Sequence, residues 1–349
     1  MKIEHFGVIK NGREVNLYTL ENSNGMQVKV MNMGAALVSV LVPDDAGELC
    51  DVVLGYDQVS EYEKDKNCFG AVIGRNANRI KGTHIVIDRF EYNLDDNDNG
   101  NNLHSGFKGF NHEIWSAMYT KSDKQTISFC YESREGTQGF PGTVNVSVTY
   151  SLTQNNSLNI RYEAETNRKT IVNITNHAYF NLNGHDSGTV NKHNLYIPAR
   201  YYTPVEPKGM CPTGEIASVD GTPMDFRKMK TIGQDIDSDF EQLKYAGGYD
   251  HNYVNDNNGQ FKLAATAQGE KSGITMEVYT DRPGLQLYTG NYIGSVNGKD
   301  GAIYGSRHGF CLETQGFPDA IHHLGFPSPL IGPKEKFIST TEYVFGIRK

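Results

Sequence analysis

The sequence predicts an all-β protein with few short helices, and three observations carry that expectation. The clearest lies in residues 127–162, where Val144, Val146, Val148 and Tyr150 alternate with Asn145, Ser147, Thr149 and Ser151, and Leu158, Ile160 and Tyr162 alternate with Asn159 and Arg161. Successive strand side chains point to opposite faces, so these runs read as antiparallel-type strands with one face on a core. Turn clusters such as Asn22-Ser-Asn-Gly and Asp44-Asp-Ala-Gly punctuate the other β-rich runs. The composition agrees: 37 Gly and 20 Tyr against a single Trp, with few helix-like heptads, favour strands and turns.

Taken in order, residues 26–30, 36–42 and 52–54 are expected to pair as strands. Residues 70–82 form a Gly-punctuated stretch with Arg75 and Arg79, which are either surface charge or guanidinium forks aimed at hydroxyls. Residues 95–109 are rich in Asn and Gly and read as a long loop carrying His104, a size uncommon without a function. Residues 170–182 read as a strand. One face carries Ile171, Asn173, Thr175, His177, Tyr179 and Asn181, and the other carries Val172, Ile174, Asn176, Ala178, Phe180 and Leu182. The first face sets a histidine between a hydroxyl and a phenol, whereas a merely solvated face favours Lys, Glu and Thr. An ordinary histidine on a wet sheet surface is the competing reading. Residues 231–243 are the best helix candidate. Asp250 and His251 follow Gly247-Gly-Tyr, and two more alternating runs centre on Met276 and Leu287. Near the end, Phe310 and Leu312 share one face of a strand while Cys311 and Glu313 share the other. A carboxylate leaving so apolar a strand is either exposed or set in a pocket, where burial raises its pKa towards that of a useful acid or base.

The chain has 349 residues, enough for a sizeable core, and shows no repeat, linker or composition shift. One domain, 1–349, is the simplest division. The formal net charge is −8 and no basic block occurs, which disfavours a nucleic-acid partner. No run of about 18 apolar residues occurs and the N-terminus lacks an apolar signal region, so a cytoplasmic protein without membrane association is expected. Cysteines at 50, 68, 130, 211 and 311 contain no C-x-x-C pair and fit reduced thiols. There is no P-loop, no G-x-G-x-x-G after a strand, no G-x-S-x-G elbow and no H-E-x-x-H. His322 and His323 are adjacent rather than one helical turn apart. No nucleotide cofactor and no catalytic zinc is expected.

Eight stretches together resemble the aldose 1-epimerase (galactose mutarotase) family: Gly74-Arg-Asn-Ala-Asn-Arg-Ile80, Asn102-Leu-His-Ser-Gly106, Thr175-Asn-His-Ala-Tyr-Phe-Asn-Leu182, Pro212-Thr-Gly-Glu-Ile216, Gly221-Thr-Pro-Met-Asp-Phe226, Tyr249-Asp-His-Asn-Tyr253, Pro283-Gly-Leu-Gln-Leu-Tyr288 and Leu312-Glu-Thr-Gln315. They occur in the family's order and span nearly the whole chain. Two departures lie near the implied sugar site: Ser105 where the family usually has glycine, and Asn111-His112 where an Asp-Lys type pair is common. The resemblance implies a large twisted antiparallel β-sandwich, or supersandwich, with a sugar cleft on its concave side. It implies Glu313 as general base towards the anomeric hydroxyl and His177 as general acid towards the ring oxygen, with His104 beside it. Asn78, Arg79, Asp250 and Gln286 are then the hydroxyl clamp, which with His104, His177 and Glu313 makes up the substrate-binding set. The implied partner is a free aldohexose, with no cofactor or metal, and a monomer is the default. A nearby carboxylate is expected to hold His177 protonated. The rival readings are a non-catalytic sugar-binding protein, a glycoside hydrolase, which usually needs two carboxylates, and a hexose-6-phosphate epimerase, which calls for further Arg or Lys in the cleft.

Overall fold

The computed structural model describes residues 1–348. Its strands are gathered mainly into three antiparallel sheets. The first is a meander in chain order, Lys2–Val8, Glu14–Glu21, Gln27–Met31, Leu37–Pro43 and Leu49–Asp51. The second has nine strands, ordered Ser116–Met118, Thr126–Ser133, Val144–Leu152, Ser157–Thr166, Lys336–Ile347, Ile274–Thr280, Lys262–Gln268, Asn194–Tyr196 and Lys230–Thr231. The third runs Ala217–Ser218, Tyr201–Thr203, Asp250–Val254, Gly284–Tyr288 and Cys311–Gln315. Only two short α-helices occur among the described residues, Val59–Tyr62 and Glu241–Ala246, and no helix there is long and apolar enough to cross a membrane.

The alternation in the sequence turns directly into burial. Along Val144–Leu152 every second residue is buried, and the intervening Asn145, Ser147, Thr149 and Ser151 lie outward. One apolar cluster draws Val28 and Val30 from the first sheet, Val148, Ile160 and Met276 from the second, and Tyr253, Leu285 and Leu312 from the third. Each such side chain contributes about 1.5–3 kcal/mol by leaving water. The C-terminal strand Lys336–Ile347 lies between Ser157–Thr166 and Ile274–Thr280, so the last residues of the chain close the middle of the largest sheet.

Three sequence expectations are corrected. Residues 170–182 form only Thr170–Ile171 and Thr175–Asn176, each paired with a two-residue partner strand, and all thirteen residues are buried. Their backbone groups are shared among separate segments: His177 N–H donates to Ala71 O, Leu54 N–H to Tyr179 O, and Phe180 N–H to Phe310 O. Residues 231–243 are helical only at their end, where Glu241–Ala246 begins; before it stands a 3₁₀ turn, Ile232–Gln234, after which the chain turns at Asp235 and Asp237, which bind Lys230 and Arg307. Short acidic side chains that find local partners compete with helical backbone bonds. Residues 52–54 are not a strand either. The pairing stops at Asp51, and Val53 makes an isolated bridge to Phe180.

Arg75 is the largest fully buried cation. Its Nε donates to Ser133 Oγ at 2.9 Å, Nη1 to Pro141 O at 2.8 Å, and Nη2 to the carbonyls of Ser133 and Arg134 at 2.8 and 2.7 Å. No carboxylate is among these partners, so burial lowers its pKa to about 10 while the carbonyl ring holds the fork. Arg75 therefore pins the stretch 74–80 to the hairpin around 133–144. An Arg75→Met variant leaves those acceptors unpaired and is expected to lose about 3–5 kcal/mol, read as a drop in urea midpoint at constant m-value; an unchanged midpoint would remove the guanidinium from this role.

Two histidines are structural. His193 Nε2 accepts the Leu182 N–H at 2.9 Å and His251 Nδ1 accepts the Asp250 N–H at 3.1 Å, and both rings are fully buried. Burial lowers their pKa values to about 4 and about 3. The unfolded chain takes these protons near the ordinary histidine value of about 6.5, so over the interval below it the unfolded state binds more protons and stability falls with pH. The melting temperature is expected to decline from about pH 6.5 towards pH 4, less steeply in a His251→Gln variant. Equal slopes in the two proteins would show that His251 carries no such linkage.

Candidate active site

The third sheet aligns three of the predicted residues. Glu313 sits on Cys311–Gln315 directly opposite Gln286 on Gly284–Tyr288, and Asp250 begins the next strand, Asp250–Val254. Gln286 Nε2 donates to Asp250 Oδ1 at 2.6 Å, and the other Asp250 oxygen lies 3.6 Å from Arg79 Nη1. Arg79 also binds Asp98 Oδ2 through Nε at 2.8 Å. The two-stranded pair Arg79–Ile80 and Asn102–Leu103 brings Arg79 and Asn78 beside His104. Asn78 and His104 exchange bonds: the His104 N–H reaches Asn78 O at 3.1 Å, and the Asn78 N–H reaches His104 Nδ1 at 3.2 Å. With Nδ1 accepting, the neutral ring carries its proton on Nε2.

His177 reaches the same place from the central segment. Its ring stacks on Tyr179, with centroids 5.0 Å apart and planes at 23°, and meets His104 edge-on at 5.3 Å. Its Nε2 lies 3.8 Å from Glu313 Oε1, and its Nδ1 lies 3.5 Å from Cys311 Sγ. All seven predicted residues thus converge, and Asn78, Arg79, His104, His177, Asp250 and Glu313 line one cleft of about 560 Å³. Gln286 stands behind them, 3% exposed, as the support of Asp250. Of the two arginines in 70–82, Arg79 faces the cleft and Arg75 is structural.

Burial dominates the electrostatics. It raises the Glu313 carboxyl well above the usual range, with the Asp250 charge adding to it and Arg79 opposing. It lowers His177 to about 4 and, with His177 and Arg79 nearby, drives His104 well below its ordinary value. The expectation that a carboxylate holds His177 protonated is therefore reversed in the empty cleft: both partners favour their uncharged forms. Burial also opposes charge on Arg79, but Asp250 and Asp98 outweigh it and hold the guanidinium protonated. Glu313 Oε2 is buried and finds no hydrogen-bond donor among the described residues. A pocket that leaves this oxygen free while Gln286 and Arg79 bond Asp250 Oδ1 and Asp98 Oδ2 is built to receive a donor there.

Sequence reasoning missed Asp98, Cys311 and Tyr288, the last of which lines the cleft edge-on to His177 at 6.3 Å. Asp98 lay inside the polar loop with nothing to set it apart from Asp95 and Asp96. Cys311 did leave a signal, since it shares the face of Glu313 two residues away. A second groove, of about 410 Å³, lies on the nine-stranded sheet among Tyr131, Glu132, Glu163, Glu165 and Lys336, where Lys336 already pairs with both Glu163 and Glu165.

The family described as Aldose 1-epimerase matches residues 16–344. Human galactose mutarotase is 38% identical over 344 residues, 98% of this chain and 97% of its own. Aldose 1-epimerase of Escherichia coli (strain K12) is 36% identical over 338 residues, 96% of each chain. Among solved structures, galactose 1-epimerase from Lactobacillus acidophilus NCFM superposes with a TM-score of 0.87 at 30% identity, covering 100% of this chain and 99% of that one. An aldose epimerase homologue from C. elegans gives 0.87 at 29% identity, covering 96% and 100%. The sheets described above are thus the galactose mutarotase fold, and the chain belongs to the aldose 1-epimerase family.

Proposed function

We propose that this protein interconverts the α- and β-anomers of free hexoses such as galactose and glucose, with Glu313 as general base, His177 as general acid and Asn78, Arg79, His104, Asp250 and Gln286 holding the sugar. The observation that carries this reading is the Glu313–His177 pair, buried in one cleft with an unsatisfied carboxylate oxygen beside an imidazole. The names of the curated relatives support galactose as one substrate.

Ring opening requires one proton to leave O1 and one to reach the ring oxygen. Glu313 takes the first and His177 Nε2 delivers the second, so the carboxylate–imidazolium pair becomes a carboxylic acid and a neutral imidazole. The pair carries one proton before and after. The bond between C1 and the ring oxygen breaks, rotation about C1–C2 exposes the other face of the aldehyde, and the same two transfers in reverse close the ring. For Nε2 to give and retake the proton, Nδ1 keeps its own and faces Cys311 Sγ. An O1 hydroxyl donating to Glu313 Oε2 stabilises the carboxylate and so favours the charged pair once sugar is bound. His104, with its proton on Nε2, is a fixed donor towards the sugar.

The clamp is anchored at one end of the cleft. Arg79 and Asp250 fix each other and leave several donors and acceptors for hydroxyls, and Asp98 braces the guanidinium from behind. Asp250 is a second carboxylate in the cleft, but it is already bonded to Gln286 and Arg79. A glycosidase needs its second carboxylate free for a nucleophile or water. We place the whole chain, 1–349, in one domain, a reading supported by the apolar cluster shared by all three sheets. A monomer in the cytoplasm completes the proposal, with five unpaired cysteines favouring a reducing compartment.

The test is polarimetry on freshly dissolved α-D-galactose and α-D-glucose. The protein is expected to speed relaxation to the unchanged final rotation. Glu313→Gln and His177→Asn should each lower kcat by about 10²–10⁴-fold, with melting temperatures close to that of the parent. Undiminished turnover in Glu313→Gln would refute the base assignment, and release of sugar from an aryl glycoside would replace the epimerase reading with hydrolysis.

A further inference from the structure

We propose that His177, Cys311 and Glu313 also form a latent site for a thiophilic divalent cation such as zinc, whose occupancy excludes the sugar and stops epimerisation. The three side chains offer one nitrogen, one sulfur and one oxygen, all within 4.8 Å of one another and all buried. The strand explains two of them: Cys311 and Glu313 are two residues apart, so both side chains leave Cys311–Gln315 on the face that meets His177. The third ligand is already at a fitting distance. On a tetrahedral zinc, bond lengths of about 2.3 Å to sulfur and about 2.0–2.1 Å to nitrogen put those two ligands about 3.5 Å apart. Cys311 Sγ and His177 Nδ1 are 3.5 Å apart in the empty site.

Glu313 Oε2 is buried with no donor among the described residues, so the oxygen that meets the O1 hydroxyl is equally free to bind a cation. Three protein ligands of mixed N, S and O character leave a fourth position for water, a set that zinc accepts readily and that hard cations such as magnesium do not. Cys311 is wholly buried, while His177 and Glu313 line the cleft, so the cation enters by the route the sugar takes. On binding, bonds form from the metal to Cys311 Sγ, His177 Nδ1 and a Glu313 oxygen; the S–H bond and the O–H bond of the Glu313 carboxyl break and both protons pass to solvent, while the neutral His177 ring keeps its one proton, moved from Nδ1 to Nε2. The Glu313 lone pair held by the metal then cannot accept the O1 proton, and a His177 ring bound through Nδ1 carries its only proton on Nε2 and can no longer cycle between imidazolium and imidazole, which makes the cation a competitor of the sugar. This inference rests on the epimerase reading for its effect on rate, but not for binding itself.

The experiment therefore reads binding apart from activity. Cobalt(II) is titrated into the full-length protein, and a thiolate-to-cobalt charge-transfer band is expected in the near ultraviolet. The band should vanish in Cys311→Ser, persist in Cys68→Ser, and need at least about tenfold more cobalt in Glu313→Gln, a change that also serves if the serine variant fails to fold. Zinc is then tested by polarimetry, where micromolar concentrations should raise the apparent KM for aldose without lowering kcat, reversibly with EDTA, each protein being compared with its own metal-free rate. A band that survives Cys311→Ser, or one lost in Cys68→Ser instead, would overturn the proposal whether or not the protein is an epimerase. Zinc inhibition that excess sugar does not relieve would overturn it as well.

Discussion

A carboxylate oxygen buried without a partner is the constraint on which the rest of this structure depends. Leaving a buried acceptor unpaired costs about 1–3 kcal/mol, and more when the group is charged. Here that cost falls on Glu313, which is 2% exposed and lies beside the negative charge of Asp250. Burial favours an uncharged carboxyl and an uncharged His177. That proton distribution differs from the carboxylate–imidazolium pair only by where one proton sits. In the proposed mechanism it is also the distribution that faces the open-chain aldehyde, with Glu313 having gained a proton and His177 having lost one. A desolvated site thus favours the state met halfway through the reaction, and the O1 hydroxyl of a cyclic sugar restores the charged one.

Such a pair stays useful only if the groups around it cannot relax. The stacking of His177 on Tyr179, with Phe69 edge-on behind at 4.9 Å, fixes the ring plane. The sheet register fixes Glu313 opposite Gln286. On the other wall the anchor is Arg75, which holds 74–80 from beneath so that Asn78 and Arg79 emerge into the cleft. Ser105 shows how narrowly that wall is specified. It occupies the left-handed region at φ +70°, where a residue with a Cβ loses about 1–2 kcal/mol. Glycine, usual in the family at that position, avoids the cost. Ser105 offsets it through its hydroxyl, which accepts the Asn76 N–H at 2.7 Å and donates to Asn76 O at 3.2 Å. The departure from the family pattern therefore reaches the cleft through the backbone of the Arg75–Arg79 stretch rather than by touching sugar.

How much of this was legible in the sequence depends on how many environments a segment serves. The strands within 126–166 have one face on the core, so period two in hydrophobicity translates into one register and one burial pattern. Residues 170–182 have the same period, yet both faces are buried, one against the apolar core and one beneath the cleft. Their backbone partners come from 52–54, 70–77, 310 and 329–331, segments far apart in the chain, so no single neighbouring strand could be read from spacing. The residues that converge on the cleft were legible through local motifs, because each motif is short and tied to one turn or strand. Their mutual distances were not, because Asp250, Gln286 and Glu313 meet through pairings between strands and Asn78 meets His104 across a loop. Asp98 illustrates the limit: among Asp95, Asp96 and Asp98, only the fold decides which one braces Arg79.

The same reasoning explains why one end of the cleft is rigid and the other is not. Arg79, Asp98, Asp250 and Gln286 satisfy one another before any sugar arrives, so each presents its remaining donors and acceptors in fixed directions at little entropic cost on binding. Glu313 Oε2 and His177 Nε2 have no such mutual satisfaction. Hydroxyls gripped at the preformed end can stay in place while C1 turns, because the groups facing C1 exchange protons and make no permanent bonds. The division follows from the hydrogen-bond inventory alone. Neutral imidazole and a protonated carboxyl can each switch between donor and acceptor, whereas a guanidinium can only donate and an ionised Asp250 can only accept. Arg79 and Asp250, each with one fixed role, suit a clamp, and Glu313 and His177, which can take either role, suit proton transfer.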